Sequence, residues 1–129
     1  MSDSAKESPF KGKTGLRRLL NATGYSFDGL RAAWQHEAAF RQICLLALAG
    51  IVLALCLPLP AWGRGLIIFA HLLGIVVELI NSAIEASVDH TSLERHPLAK
   101  RAKDLGSAAQ LASLVNMASI WAIVLFNHG

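Results

Sequence analysis

The chain has 129 residues, 53% of them hydrophobic and only 16% charged. A typical soluble domain carries about 25% charged residues, so this composition excludes an ordinary soluble fold and leaves little chain for a separate soluble domain. The formal net charge of +3 is no nucleic-acid signal in itself; its distribution along the chain is what informs.

Residues 1–13 (MSDSAKESPFKGK) are polar, contain Pro, Gly and Ser, and read as a disordered tail. They hold no apolar run, so no cleavable signal peptide is expected. Gly12-Lys13-Thr14 matches the end of a phosphate-binding loop, but that motif needs glycine where Glu7 stands, and a preceding strand. Over residues 14–34, Leu16, Leu19, Leu20, Thr23, Phe27, Leu30 and Trp34 recur at helical spacing, with Arg17, Arg18, Asp28 and Arg31 on other faces. This pattern predicts an amphipathic helix lying in a membrane interface, a depth that suits Tyr25 and Trp34. Gly24 and Gly29 leave room for a break in it.

Three apolar spans follow. The first covers residues 38–59, with Arg41 and Gln42 able to snorkel at its start and Pro58 and Pro60 ending it. Cys44 and Cys56 share this span, ~18 Å apart by helical rise, too far to form a disulfide. Ala61-Trp62-Gly63-Arg64 reads as a tight turn with an interfacial Trp. The second span covers residues 65–88 and the third residues 104–126, separated by a polar loop over residues 89–101. Within the third, residues 105–126 form 22 uncharged positions, enough to cross a ~30 Å hydrocarbon core. The fold expected is an all-α integral membrane protein: three transmembrane helices plus an N-terminal amphipathic surface helix, with residues 14–129 forming one membrane domain.

The 12 Lys and Arg residues divide unevenly. Lys6, Lys11, Lys13, Arg17, Arg18, Arg31 and Arg41 precede the clean part of the first span, and Arg95, Lys100, Arg101 and Lys103 lie between the second and third. Only Arg64 falls between the first two. The positive-inside rule then makes the N-terminus and the second loop cytoplasmic and the C-terminus external.

Glu78, Asn81 and Glu85 stand out in the second span. They lie at i, i+3 and i+7 and share one stripe. A carboxylate near the bilayer interior costs ~3 kcal/mol on insertion scales, so its default reading is a working site. Counted from Gly65, Glu78 lies ~20 Å along the helix and Glu85 ~30 Å, which sets Glu85 at the cytoplasmic boundary and Glu78 roughly 10 Å deeper. The same boundary gathers Glu37, Asp89 and Asp104 with Lys103, Arg18 and other bases. Hard oxygen ligands beside cations suit a magnesium nucleotide, and Lys and Arg can neutralise charge on a transferring phosphoryl group. Glu37 and Glu85 are therefore expected to hold Mg²⁺, and the desolvated Glu78 to act as general base toward a hydroxyl on a membrane lipid.

Other readings of these residues stay open. Glu78 could be a core residue bonded to Asn81 or a neighbouring helix. It could titrate in an ion- or proton-conducting small membrane subunit, or the stripe could be dispensable in a structural adaptor. His71, nearer the external end, reads as a packing or interfacial histidine. Gln110, Asn116 and Ser119 read as helix–helix contacts.

Gly24–Ser26 with residues 29–42 (GLRAAWQHEAAFRQ), residues 78–89 (ELINSAIEASVD) and residues 101–109 (RAKDLGSAA) together resemble the prokaryotic diacylglycerol kinase family. The likeness extends over nearly all of the chain after residue 15. It implies a small inner-membrane homotrimer with three spans and a surface helix, multi-pass, with its C-terminus periplasmic. The implied activity is Mg²⁺-dependent transfer of the γ-phosphoryl of ATP to diacylglycerol, giving phosphatidic acid, in sites formed between subunits. It implies Glu78 as the base, Glu37 and Glu85 as metal ligands, and Asn81 in support. Arg18, Tyr25, Glu94, His96, Lys103 and Asp104, beside Glu37 and Glu85, are implied in ATP binding. Arg31, Trp34 and Ser107 fall near the lipid. Thr23, Arg95 and the segment 91–98 depart from the family pattern. A related branch phosphorylates undecaprenol; Gly-Ser-Ala-Ala after Lys103-Asp104 leans toward diacylglycerol.

Overall fold

A computed structural model describes residues 11–91 and 96–127, all in helices or short connections. The helices are α1 (Lys11–His36), α2 (Ala38–Cys56), α3 (Ala61–Thr91) and α4 (Pro97–Asn127). The all-helical architecture predicted from the periodicity is the one found. The chain divides into two compact units, Met1–His36 and Glu37–Gly129.

The first unit contributes α1. It starts at Lys11, inside the expected tail, and runs unbroken through Gly24 and Gly29. At 100° per residue, Leu16, Leu20, Phe27 and Trp34 share one stripe, and Arg18 and Tyr25 project from the opposite side. The expected disorder of residues 1–10 lies outside the described residues.

In the second unit, α2, α3 and α4 are each long and apolar enough to cross a membrane. Only 28%, 28% and 22% of their most apolar windows is buried against other protein. Leu48, Leu55, Phe69, Ile80, Leu105 and Leu111 point outward, each at least 55% exposed. Such surface is costly in water and at ease among acyl chains. At 31 residues each, α3 and α4 are ~46 Å long, outrunning a ~30 Å hydrocarbon core. Their shared polar ends, from Glu85 and to Asp104, fall in that excess.

The connection between α2 and α3 differs from expectation. Residues 61–64 form the first turn of α3, and the turn proper is 57–60. Pro58 and Pro60 cannot continue α2, which ends at Cys56, while the Pro60 carbonyl accepts from the N–H groups of Gly63 and Arg64, both at 3.0 Å. Arg64 then reaches back: Nε donates to the Ala54 carbonyl at 3.2 Å and Nη2 to that of Leu57 at 2.8 Å. The Ala54 carbonyl has lost its helical donor to Pro58, the Leu57 carbonyl also accepts from the Leu59 N–H at 2.8 Å, and a cation is favoured at this helix end. An apolar cluster of Ala54, Leu59, Ile67 and Val124 seals this end.

α3 is the central element. Its buried stripe is Gly63, Ile67, Ala70, His71, Gly74, Glu78 and Asn81. It faces Ile43, Ala47, Gly50 and Ala54 of α2 and Gly106, Gln110, Ser113, Met117 and Val124 of α4. The neighbours run antiparallel to α3. On α4, Val124 meets Gly63, Met117 meets Gly74, Gln110 meets Glu78, Gly106 meets Asn81 and Lys103 meets Asp89. On α2, Gly50 meets His71 and Ile43 meets Gly74. Three of these approaches leave no room for a side chain: a Cβ on Gly50 would collide with the His71 ring, one on Gly63 with Val124 Cγ1, and one on Gly106 with Asn81 Oδ1.

Candidate active site

Glu78 is 4% exposed, held between α3 and α4. Its partner is Gln110, whose Nε2 donates to Glu78 Oε1 at 3.0 Å and to the Gly74 carbonyl at 3.1 Å. Gly74 is four residues before Glu78, so in an α-helix its carbonyl also receives the Glu78 backbone N–H. One amide thus grips both the carboxylate and the turn that carries it. Glu78 Oε2 takes no hydrogen bond from the described residues.

The surroundings of Glu78 are polar and incompletely paired. Among the described residues, Asn81 Oδ1, Ser82 Oγ, Gln110 Oε1 and Ser113 Oγ are buried without a hydrogen-bond partner. Buried polar atoms normally find partners, and each exception needs an account. They cluster around Glu78, on its own helix and on the facing stretch of α4.

Toward the loop end, the site opens. Lys103 Nζ lies 2.8 Å from Asp89 Oδ1, and Lys100 Nζ 2.7 Å from Asp104 Oδ2. Both lysines precede the uncharged stretch of α4. The hydrogen bond to Asp89, then its charge, holds the Lys103 ammonium above its ordinary value, and Glu85 adds a weaker pull in the same direction. The hydrogen bond to Asp104, then its charge, does the same for Lys100. These pairs are largely exposed and screened, so they keep charges in place more than they hold the fold.

Glu37 stands at the N-cap of α2 in an extended conformation (φ −117°, ψ 106°), and its side chain makes no capping bond. Helical rise from the contacts of Gly50 with His71 and Ile43 with Gly74 brings Glu37 and Glu85 within roughly 2–8 Å of the same level. Both are half-buried. Among the described residues, no three His, Cys, Asp or Glu side chains form a ready metal centre. Magnesium does not require one, since it commonly takes one or two protein carboxylates and completes its shell with phosphates and water. Two carboxylates on adjacent helices, offset by no more than roughly 8 Å along the bundle, are of the number and type such a site uses.

The remaining residues singled out from the sequence fall in three places. Asn81 is buried beside Gly106, and Ser107 and Asp104 are exposed on the first turns of α4. Arg18, Tyr25, Arg31 and Trp34 all lie on α1, in the other unit, each exposed. His96 precedes α4, and its Nδ1 accepts from the Leu98 N–H at 3.0 Å, so one ring nitrogen caps the helix. Glu94 and Arg95 lie outside the described residues.

Gln110 was legible only as a helix–helix contact; its hold on Glu78 was missed. A signal existed, since Glu78 and Gln110 are nearly equidistant from the polar loop and antiparallel helices set equidistant residues level. Ser119, read as a helix–helix contact too, instead donates to the Val115 carbonyl of its own helix at 2.8 Å.

Fold and site together define a class: an all-helical protein with three helices able to span a membrane and a clamped, buried carboxylate beneath a rim of charged groups. Comparison with known proteins narrows the class. The family model for prokaryotic diacylglycerol kinase matches residues 24–125. A diacylglycerol kinase from Pseudomonas aeruginosa is 56% identical over 118 residues, covering 92% of this chain and 96% of that protein. One from Helicobacter pylori is 54% identical over 115 residues, 89% of each chain. One from Escherichia coli K12 is 47% identical over 115 residues, covering 89% of this chain and 94% of its own. The chain belongs to the prokaryotic diacylglycerol kinase family.

Proposed function

We propose that the protein transfers the γ-phosphoryl group of ATP to the free hydroxyl of diacylglycerol, forming phosphatidic acid. The observation that carries this reading is Glu78: a buried carboxylate in a family of lipid kinases, with one oxygen held by Gln110 and the other unengaged. A structural acid would use both oxygens internally. A general base needs one fixed and one free.

In the proposed reaction, the lipid hydroxyl oxygen forms a bond to the γ-phosphorus and the bond from that phosphorus to the β–γ bridging oxygen breaks, releasing ADP. The hydroxyl proton passes to Glu78 Oε2. Asn81, whose Oδ1 packs against Gly106, supports the turn beside Glu78. Glu37 and Glu85 would hold Mg²⁺, which when bound neutralises charge on the phosphates. Lys103 stabilises charge on the transferring group, exchanging its exposed pair with Asp89 for the nucleotide. Asp104 and His96 complete the nucleotide contacts on this side, and the family resemblance implies Glu94 in nucleotide binding. Arg18 and Tyr25 of α1 are implied in nucleotide binding by the family resemblance. Trp34, Arg31 and Ser107 would face the lipid.

The charge distribution orients the protein in a bacterial inner membrane with the N-terminus and the α3–α4 loop cytoplasmic. This puts the rim at the level of soluble nucleotide and Glu78 at the level of lipid hydroxyls. A three-helix protomer is thin for a water-excluded site, and the family resemblance favours a homotrimer with sites shared between subunits.

The test uses purified protein in mixed micelles with Mg-ATP and, in parallel, diacylglycerol, undecaprenol or no added lipid. Labelled phosphate should appear in phosphatidic acid. Transfer only to undecaprenol would move the protein to the sister branch, and no transfer to either lipid would overturn the kinase reading.

A further inference from the structure

We infer that Gln110 is a positioning residue for phosphoryl transfer: it fixes the orientation of Glu78 and leaves Oε2 as the oxygen that takes the proton. The inference rests on reading Glu78 as the base.

The orientation of the Gln110 amide follows from its partners. The Gly74 carbonyl can only accept, and so can an ionised Glu78. An amide turned the other way would set Gln110 Oε1 against two acceptors, so the NH₂ group must face both. Oε1 then points away, and it is buried without a partner among the described residues. Leaving that acceptor unmet costs free energy that a leucine at position 110 would avoid. A residue kept only to join two helices has no need to bear this cost.

The geometry also explains why a fixed carboxylate matters. Glu78 has three side-chain torsions, and among the described residues Gln110 supplies the hydrogen bond that restrains the last of them. Bonding to Oε1 alone, from a donor anchored to the same helical turn, converts a rotating carboxylate into a directed one. A base must lie within hydrogen-bond reach of the proton it removes, and small misplacements are costly to rate. The Gln110 bond is formed before substrate arrives, so it restrains the free enzyme as well as the complex.

The decisive variant is Gln110→Met, which keeps length and volume and removes the donor. It also removes a buried polar group from a membrane helix, so folding is favoured. Turnover should fall about 10- to 100-fold, the range expected for losing a hydrogen bond to a charged group. KM for ATP and for diacylglycerol should stay within about twofold, because a group that only aims the base adds nothing to ground-state binding. In a Glu78→Asp background the carboxylate is one methylene short of Gln110, so adding Gln110→Met should produce no further loss. Wild-type turnover in Gln110→Met, loss of activity only in step with loss of folded protein, a raised KM at unchanged kcat, or a full additional loss in the Glu78→Asp background would each overturn the inference. Failure of the underlying reading is separate: Glu78→Gln with full activity would remove the base itself.

Discussion

The two ends of the α2–α3–α4 bundle treat polar groups in opposite ways. At the α2–α3 turn, Arg64 is committed to the carbonyls of Ala54 and Leu57, and His71 accepts from Trp121 Nε1 at 3.0 Å while its ring sits against Gly50. Both side chains serve to close the structure. Around Glu78, by contrast, Gln110, Asn81, Ser82 and Ser113 each retain a buried oxygen without a partner. His71 retains Nδ1 alone. Polarity inside the membrane helices thus takes two forms: side chains closed on partners at one end, and side chains with unused hydrogen-bonding capacity clustered around an acid at the other.

The sharpest way to break this contrast is Glu78→Gln. The new amide still presents an oxygen to Gln110 Nε2, so the clamp and the fold survive. What is lost is the capacity to accept a proton, and turnover should fall about 10²–10⁴-fold. Undiminished phosphate transfer would place Glu78 with Arg64 and His71 as a structural polar group, and the difference between the two ends would lose its functional meaning. A smaller effect is expected at the rim. Glu85→Gln should raise the Mg²⁺ concentration for half-maximal activity roughly tenfold, as loss of one charged contact implies, with kcat recovering at saturating metal. A Mg²⁺ titration with unchanged midpoint would detach Glu85 from the metal.

How much of this was legible in the sequence depended on the range of the interaction. The helices and the polar stripe were, because hydropathy, charge bias and helical spacing are local properties. Glu78 was conspicuous because an acid in an apolar run is expensive wherever the helix packs. The role of Gln110 was not legible in the same way. It depends on the register between α3 and α4, which Gly106 and the loop length set together. The turn over 61–64 was misread for a related reason: Gly63 looks like a turn residue, yet it serves as the close-packing point for Val124. The sequence itself offers Arg18 only as one of the bases gathered at the cytoplasmic boundary, and Tyr25 enters as a nucleotide contact through family likeness alone.

The smallest effect belongs to the closed end and completes the comparison. The Trp121 indole N–H can only donate, so His71 Nε2 must be the unprotonated acceptor and the neutral ring carries its proton on Nδ1. Trp121→Phe keeps an aromatic ring against His71 but deletes the donor, leaving Nε2 buried and unmet. The expected cost is about 1–3 kcal/mol of stability, read as faster thermal inactivation in detergent. Turnover per folded molecule should not change, because His71 is seven residues from Glu78 along α3, ~10 Å away by helical rise, on the side remote from the charged rim. A fall in kcat at unchanged stability would show that the two ends are coupled, and that the closed end does more than close.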